Sequence, residues 1–142
     1  MSEFVVDASV AVCWFTHEAA TERANRLIAA RHDLVAPSLL LLEVANTLWK
    51  KARRGEIAEA AADEALREVR RFVPTILGDT DLAAPALEIA HEIGHSVCDC
   101  VYLALARRRN APLVTLDARL TARLAGTRFH GDAILLADRE PG

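Results

Sequence analysis

Four carboxylates interrupt the most apolar stretches of this chain. Asp7 ends the run Phe4-Val5-Val6, and Glu43 stands between Leu39-Leu40-Leu41-Leu42 and Val44-Ala45. Asp99 lies between Val97-Cys98 and Cys100-Val101, and Asp117 follows Pro112-Leu113-Val114-Thr115-Leu116. A carboxylate taken out of water must be compensated or protonated. Two of them about 4 Å apart repel by about 4 kcal/mol at an effective dielectric of about 20. Four such positions in one short chain point to carboxylates gathered at one place. Gathered carboxylates point in turn to a hard divalent cation, Mg²⁺ or Mn²⁺. The chemistry such a site serves is phosphoester hydrolysis, in which the cation neutralises phosphate oxygens, activates water and stabilises the leaving oxyanion. Three polar residues belong with the set. Asn46 falls three residues after Glu43, on the same helix face, and Ser9 and Thr115 could orient a carboxylate or a water. Each acid also has a bland reading: Asp7 as a strand terminator, Asp117 as a helix N-cap, Glu43 with Thr47 and Lys50 as a solvated stripe, Asp99 as a first-turn acid. Spacing alone therefore says only that an acidic site exists.

The elements that must position these residues alternate between strand and helix. Strands are expected at 3–7, 34–36, 73–77, 113–116 and 133–136. Pro37 ends the second, and Pro74 weakens the third. Helices are expected over 10–30 with a break near Thr16-His17, over 38–54 with Gly55 just past its end, over 56–72, 80–93, 97–109 and 118–124. Asp79 or Thr80 is the expected cap of the 80–93 helix, Gly94 its stop, and Ser96 the cap of the next. The tail 139–142 should fray. This alternation predicts an α/β fold, a three-layer α/β/α arrangement with a central parallel sheet of about five strands. Ligands of such sheets bind beyond the carboxyl ends of the strands. Asp7 and Asp117 belong at that rim, and Glu43 and Asp99, near helix starts, belong at the same edge.

Composition sets the frame. The 142 residues, 52% hydrophobic and 26% charged, make one domain, 1–142, with enough apolar surface for a full core. The net charge of −3, from 20 acids against 17 bases, is not that of an ordinary nucleic-acid binder. Setting the four unusual acids aside leaves a nearly balanced surface, and a cation at the site would reverse their effect on an anionic substrate. Three cysteines, Cys13, Cys98 and Cys100, are an odd number with one close pair. They read as reduced thiols of a cytoplasmic protein. No signal peptide and no membrane span are legible.

The segments around these acids resemble the PIN-domain nucleases, in particular the VapC-type toxins of toxin–antitoxin pairs. The matching stretches are Val5-Val6-Asp7-Ala8-Ser9-Val10, then Ala36-Pro37-Ser38-Leu39 through Leu42-Glu43-Val44-Ala45-Asn46. Ser96-Val97-Cys98-Asp99-Cys100-Val101-Tyr102-Leu103-Ala104-Leu105-Ala106 and Pro112-Leu113-Val114-Thr115-Leu116-Asp117-Ala118-Arg119-Leu120 complete the set. No one of them is specific; their order across nearly the whole chain is. The resemblance implies metal ligands and catalytic acids at Asp7, Glu43, Asp99 and Asp117, with Ser9 at the family's Ser/Thr position. It implies Mg²⁺ or Mn²⁺ as cofactor, RNA as substrate, products with 5′-phosphate and 3′-hydroxyl ends, a homodimer and a cognate antitoxin. Cys98 and Cys100 depart from the tyrosine and alanine more usual beside that aspartate, and both are small enough to fit.

Other signals compete. His91-Glu92-Ile93-Gly94-His95 matches the H-E-x-x-H pattern of zinc proteases. The longer metzincin form would need Gly at 98 and His at 101, where this chain has Cys98 and Val101. Neither histidine is counted with the carboxylates. A receiver domain also gathers acids on a parallel sheet, but it requires a lysine near the last strands, and the only lysines are Lys50 and Lys51. A catalytically silent PIN-like binding module is a further alternative. The basic runs Lys50-Lys51-Ala52-Arg53-Arg54 and Arg107-Arg108-Arg109 either complement helix C-termini or hold RNA phosphates. Trp14, Phe15 and Trp49 are either core or a groove for an antitoxin segment.

Overall fold

Short β-branched and aliphatic runs supply the strands, and a computed structural model describes their arrangement for residues 2–136. The strands are β1 (Glu3–Val6), β2 (Asp33–Pro37), β3 (Thr75–Leu77), β4 (Leu113–Thr115) and β5 (Ala133–Leu135). All pair in parallel in the order β3-β2-β1-β4-β5. Phe4 stands beside Leu34, Val5 beside both Val35 and Leu113, and Val114 beside Ile134. The central strands are buried on both faces, which is why they read as continuous apolar runs rather than alternating ones.

Among the described residues, seven α-helices connect them: α1 (Ala8–Ala11), α2 (Thr21–Ala29), α3 (Leu39–Arg53), α4 (Glu59–Phe72), α5 (Ala83–Ile93), α6 (Val97–Arg109) and α7 (Ala118–Leu124). Right-handed crossovers place α1 to α4 on one face of the sheet and α5 to α7 on the other. The result is the three-layer α/β/α arrangement expected. The chain steps outward from β1 to β2 and β3, then returns past β1 to β4. The strand order thus reverses between β1 and β4, and a crevice opens at their carboxyl ends. Helix α6 is the buried centre of its layer: every residue from Cys100 to Ala106 is withdrawn from water. Helix α4 is amphipathic, burying Ala65 and Val69 and sending Glu64, Arg67 and Arg70 to solvent.

Boundaries differ from expectation where local chemistry intervenes. The stretch 10–30 divides into α1, a 3₁₀ turn at Val12–Trp14, and α2. Thr16, at the expected break, is buried and donates its hydroxyl to the Val12 carbonyl at 3.0 Å. Gly55, at φ 76°, donates to the Ala52 carbonyl while Glu56 N–H donates to Lys51, closing the end of α3. That closure delays α4 to Glu59. Strand β3 begins at Thr75, after Pro74, which has no N–H to give a ladder. Pro37 is the last residue of β2 and still pairs with Leu77.

Asp79 does not cap the helix that follows it. Its side chain makes no such bond; Oδ2 instead accepts from Leu39 N–H at 2.6 Å. Ser38, at φ −61° and ψ −23°, is already helical and caps nothing with its hydroxyl. A residue forty positions away thus closes the start of α3. Ser96 caps α6 as expected, accepting from Asp99 N–H at 3.4 Å. The fraying expected of 139–142 falls outside the described residues. Among the described residues, no helix is long and apolar enough to cross a membrane.

Candidate active site

All four acids, with Ser9 and Asn46, line one cavity of about 220 Å³, together with Ala8 and Thr47. It lies at the crevice between the ends of β1 and β4. Each acid arrives there by a different local device.

Asp7 ends β1 and caps α1, its Oδ1 accepting from Val10 N–H at 3.3 Å. Ser9 Oγ donates to the same oxygen at 2.5 Å, and Thr115 Oγ1 donates to Oδ2. Thr115 is fully buried at the end of β4 and stands behind the carboxylate rather than in the cavity. Burial pushes the Asp7 carboxyl up to about 6; the bonds from Ser9, Thr115 and Val10 oppose that rise, and the charge of Asp99 adds to it. Glu43 projects from the second turn of α3, and Tyr102 Oη donates to its Oε1 at 2.5 Å. Burial raises the Glu43 carboxyl above its ordinary value, Tyr102 pulls it back, and Asp99 again raises it. The Tyr102 phenol is itself pushed up by burial and by the carboxylate it serves. Burial and Asp99 together raise the Cys100 thiol to about 11, so this cysteine is inert packing.

Asp117 is the helix N-cap that its structural reading expects, and it also lines the cavity. Oδ1 caps α7, accepting from Arg119 N–H at 3.0 Å and Leu120 N–H at 3.1 Å. Oδ2 stands 3.6 Å from His95 Nε2. Asp99, in the first turn of α6, has Oδ2 2.8 Å from the same nitrogen. His95 was not counted with the acids in the sequence, and here it joins them. The H-E-x-x-H pattern is broken by conformation. Gly94, at φ 67°, ends α5 at Ile93, so His95 leaves the helix and turns to Asp99 while His91 stays exposed on α5. Glu92 is engaged with Arg128.

Two residues of the site were thus missed. Tyr102 falls three positions after Asp99, hence on the same helix face, and that spacing was the available signal. His95 had none, because only the turn at Gly94 aims it.

The donor set fits a hard divalent cation: oxygens from four carboxylates converge, with His95, Asp99 and Asp117 each offering a ligand atom within 4.8 Å of the others. Burial is the main cause of the raised Asp7 and Glu43 carboxyls, and the neighbouring Asp99 charge adds to it.

The surroundings resolve other sequence questions. Arg107, Arg108 and Arg109 pair with Asp132, Asp81 and Glu3, and so tie α6 to the rest of the fold. Lys51 pairs with Glu18, and the Arg53 guanidinium lies 5.3 Å from the Trp49 ring centre. Trp14 donates to the Ala24 carbonyl at 2.9 Å and packs with Phe15 and Phe72 against the core. Trp49 is 54% exposed and lines a groove between α3 and α4 with Leu48, Ala62 and Leu66.

Comparison with known proteins agrees with the fold. Residues 4–126 match the model of the PIN domain family. The chain is 34% identical over 120 residues to Ribonuclease VapC3 of Pyrobaculum aerophilum, covering 83% of this chain and 92% of that one. Its fold is similar to the crystal structure of PAE2754 from Pyrobaculum aerophilum, with a TM-score of 0.71, 28% identity and coverage of 97% of this chain and 91% of that one. It is also similar in fold to a chain of a toxin–antitoxin complex from Klebsiella pneumoniae, with a TM-score of 0.68, 16% identity and coverage of 94% and 97%. The chain belongs to the PIN domain family.

Proposed function

We propose that this chain, as one nuclease domain over residues 1–142, is a metal-dependent endoribonuclease and the cytoplasmic toxin of a toxin–antitoxin pair. The observation that carries the reading is the convergence of Asp7, Glu43, Asp99 and Asp117 on one cavity at the carboxyl edge of the sheet. The similarity to Ribonuclease VapC3 supports RNA as the substrate.

A bound Mg²⁺ or Mn²⁺ supplies charge neutralisation at the phosphate and activation of water. Asp7, Glu43 and Asp99 hold it, directly or through water, and Asp117 completes the site or helps hold a second ion. Ser9, in the cavity, and Thr115, behind it, fix the two oxygens of Asp7; Oδ1 also accepts from Val10 N–H, so Oδ2 is the oxygen with a lone pair left for the cavity. Tyr102 fixes Glu43 in the same way. Asn46 is exposed at the rim, where its amide suits a polar contact to the RNA backbone. Lys50, Arg53 and Arg54, gathered near the end of α3, suit the phosphates of a longer substrate.

The groove of about 350 Å³ between α3 and α4, with Trp49 at its mouth, suits an amphipathic segment of a cognate antitoxin. The described complex of a fold neighbour supports such a partner. The homodimer that the family resemblance implies is part of the same proposal.

The test uses purified chain freed of antitoxin and a labelled structured RNA in Mn²⁺. Wild-type protein should cut internally, and Asp99→Asn or Asp7→Asn should lower the rate at least 100-fold while the circular dichroism spectrum is kept. Cleavage that survives both substitutions would sink the assignment.

A further inference from the structure

We infer that His95 is a metal ligand, and that His95 Nε2, Asp99 Oδ2 and Asp117 Oδ2 form a mixed nitrogen–oxygen seat selecting Mn²⁺ over Mg²⁺; this rests on the metal-dependent reading above. The three atoms are already close: Nε2 is 2.8 Å from Asp99 Oδ2 and 3.6 Å from Asp117 Oδ2. One ligand atom from each residue lies within 4.8 Å of the other two. Ligands held about 2.2 Å from one octahedral ion are separated by about 3 Å when adjacent and about 4.4 Å when opposite. Side-chain shifts of a few tenths of an ångström therefore suffice.

Asp117 is divided to match. Its Oδ1 is consumed by two backbone donors of α7, so Oδ2 is the oxygen left for the seat. The His95 side chain is 11% exposed, so the ring is held in place rather than free on the surface. The fold also fixes it at a distance from its own helix. Arg123 of α7 donates to the Ile93 carbonyl at 3.3 Å and to the Gly94 carbonyl. The helix that Asp117 caps thereby clamps the turn that carries His95.

Nitrogen changes the choice of ion. Mg²⁺ prefers oxygen and keeps its waters, whereas imidazole suits first-row transition ions. Mn²⁺ is the hardest of these and accepts carboxylates equally, so one imidazole beside two carboxylates favours it over Mg²⁺.

The experiment loads metal-free protein with Mn²⁺ and reads nitrogen coupling by pulsed electron paramagnetic resonance. Wild-type protein and His91→Ala should both show coupling from a directly bound imidazole nitrogen. His95→Gln should lose it, and its preference for Mn²⁺ over Mg²⁺ in a binding titration should fall about tenfold. Labelling wild-type protein with ¹⁵N-imidazole histidine should change the coupling pattern without disturbing the fold. Bound Mn²⁺ that depends on Asp99 yet shows no nitrogen coupling overturns the assignment of His95 and leaves the metal-dependent reading standing. Coupling that persists in His95→Gln does the same. Wild-type protein that binds no Mn²⁺ at all overturns both.

Discussion

Asp7 holds a place in the fold and in the candidate site at once. It caps α1 with Oδ1 and is gripped by Ser9 and Thr115, yet burial still lifts its carboxyl to about 6. In metal-free protein this has a defined consequence. A carboxyl that holds its proton more tightly folded than unfolded contributes stability fully below its ordinary range, near 3.8, and loses that contribution as pH rises through about 6. The metal-free protein should therefore lose about 2 kcal/mol between pH 4 and pH 6 from this group. Saturating Mn²⁺ should remove most of the loss, and Asp7→Asn should flatten it. Urea titrations of wild type and Asp7→Asn at four or five pH values in that window check this, and an identical pH dependence in the two proteins would contradict it. Tyr102 makes a second case. Tyr102→Phe leaves Glu43 half-buried without its donor, at a cost of about 1 kcal/mol in stability. The same variant should slow cleavage several-fold; unchanged cleavage would confine Tyr102 to packing. The acids themselves were legible in the sequence because each breaks an apolar run. Their donors were not, since the pairing of Thr115 with Asp7 joins β4 to β1 and depends on strand order.

At the scale of elements, the places where expectation failed are those where a distant group decides a boundary. Ser38 has the type of a cap and the conformation of a helix interior, so Asp79 does the work from another loop. Asp79→Ala should lower stability by about 1 kcal/mol, read as a fall of a few degrees in melting temperature. A variant as stable as wild type would mean that water replaces the carboxylate. Gly94 is the other decisive boundary. Its φ of 67° favours glycine, and a Cβ there would meet the Arg123 guanidinium at 3.0 Å. One residue thus stops α5, admits the clamp and turns His95 toward the acids. A histidine-rich motif on a continuous helix and the same letters across a left-handed turn are chemically different objects. The expected bounds 97–109 and 118–124, by contrast, carried directly into α6 and α7, because Ser96 and Asp117 cap locally.

At the scale of the molecule, the strand order β3-β2-β1-β4-β5 turns four separate acids into one site. The alternation of strand and helix made the parallel sheet legible, and a parallel sheet made its carboxyl edge the place to look. Strand order, which sets β1 beside β4 and so Asp7 beside Thr115, is a property of the whole chain and not of any segment. The most direct test of the central claim uses a circular RNA, which only an internal cut can open. The metal-free protein should leave the circle intact, Mn²⁺ or Mg²⁺ should restore linearisation, and excess chelator should stop it again. Linearisation that proceeds undiminished in chelator would contradict the account, because it would require chemistry that the four carboxylates alone do not provide.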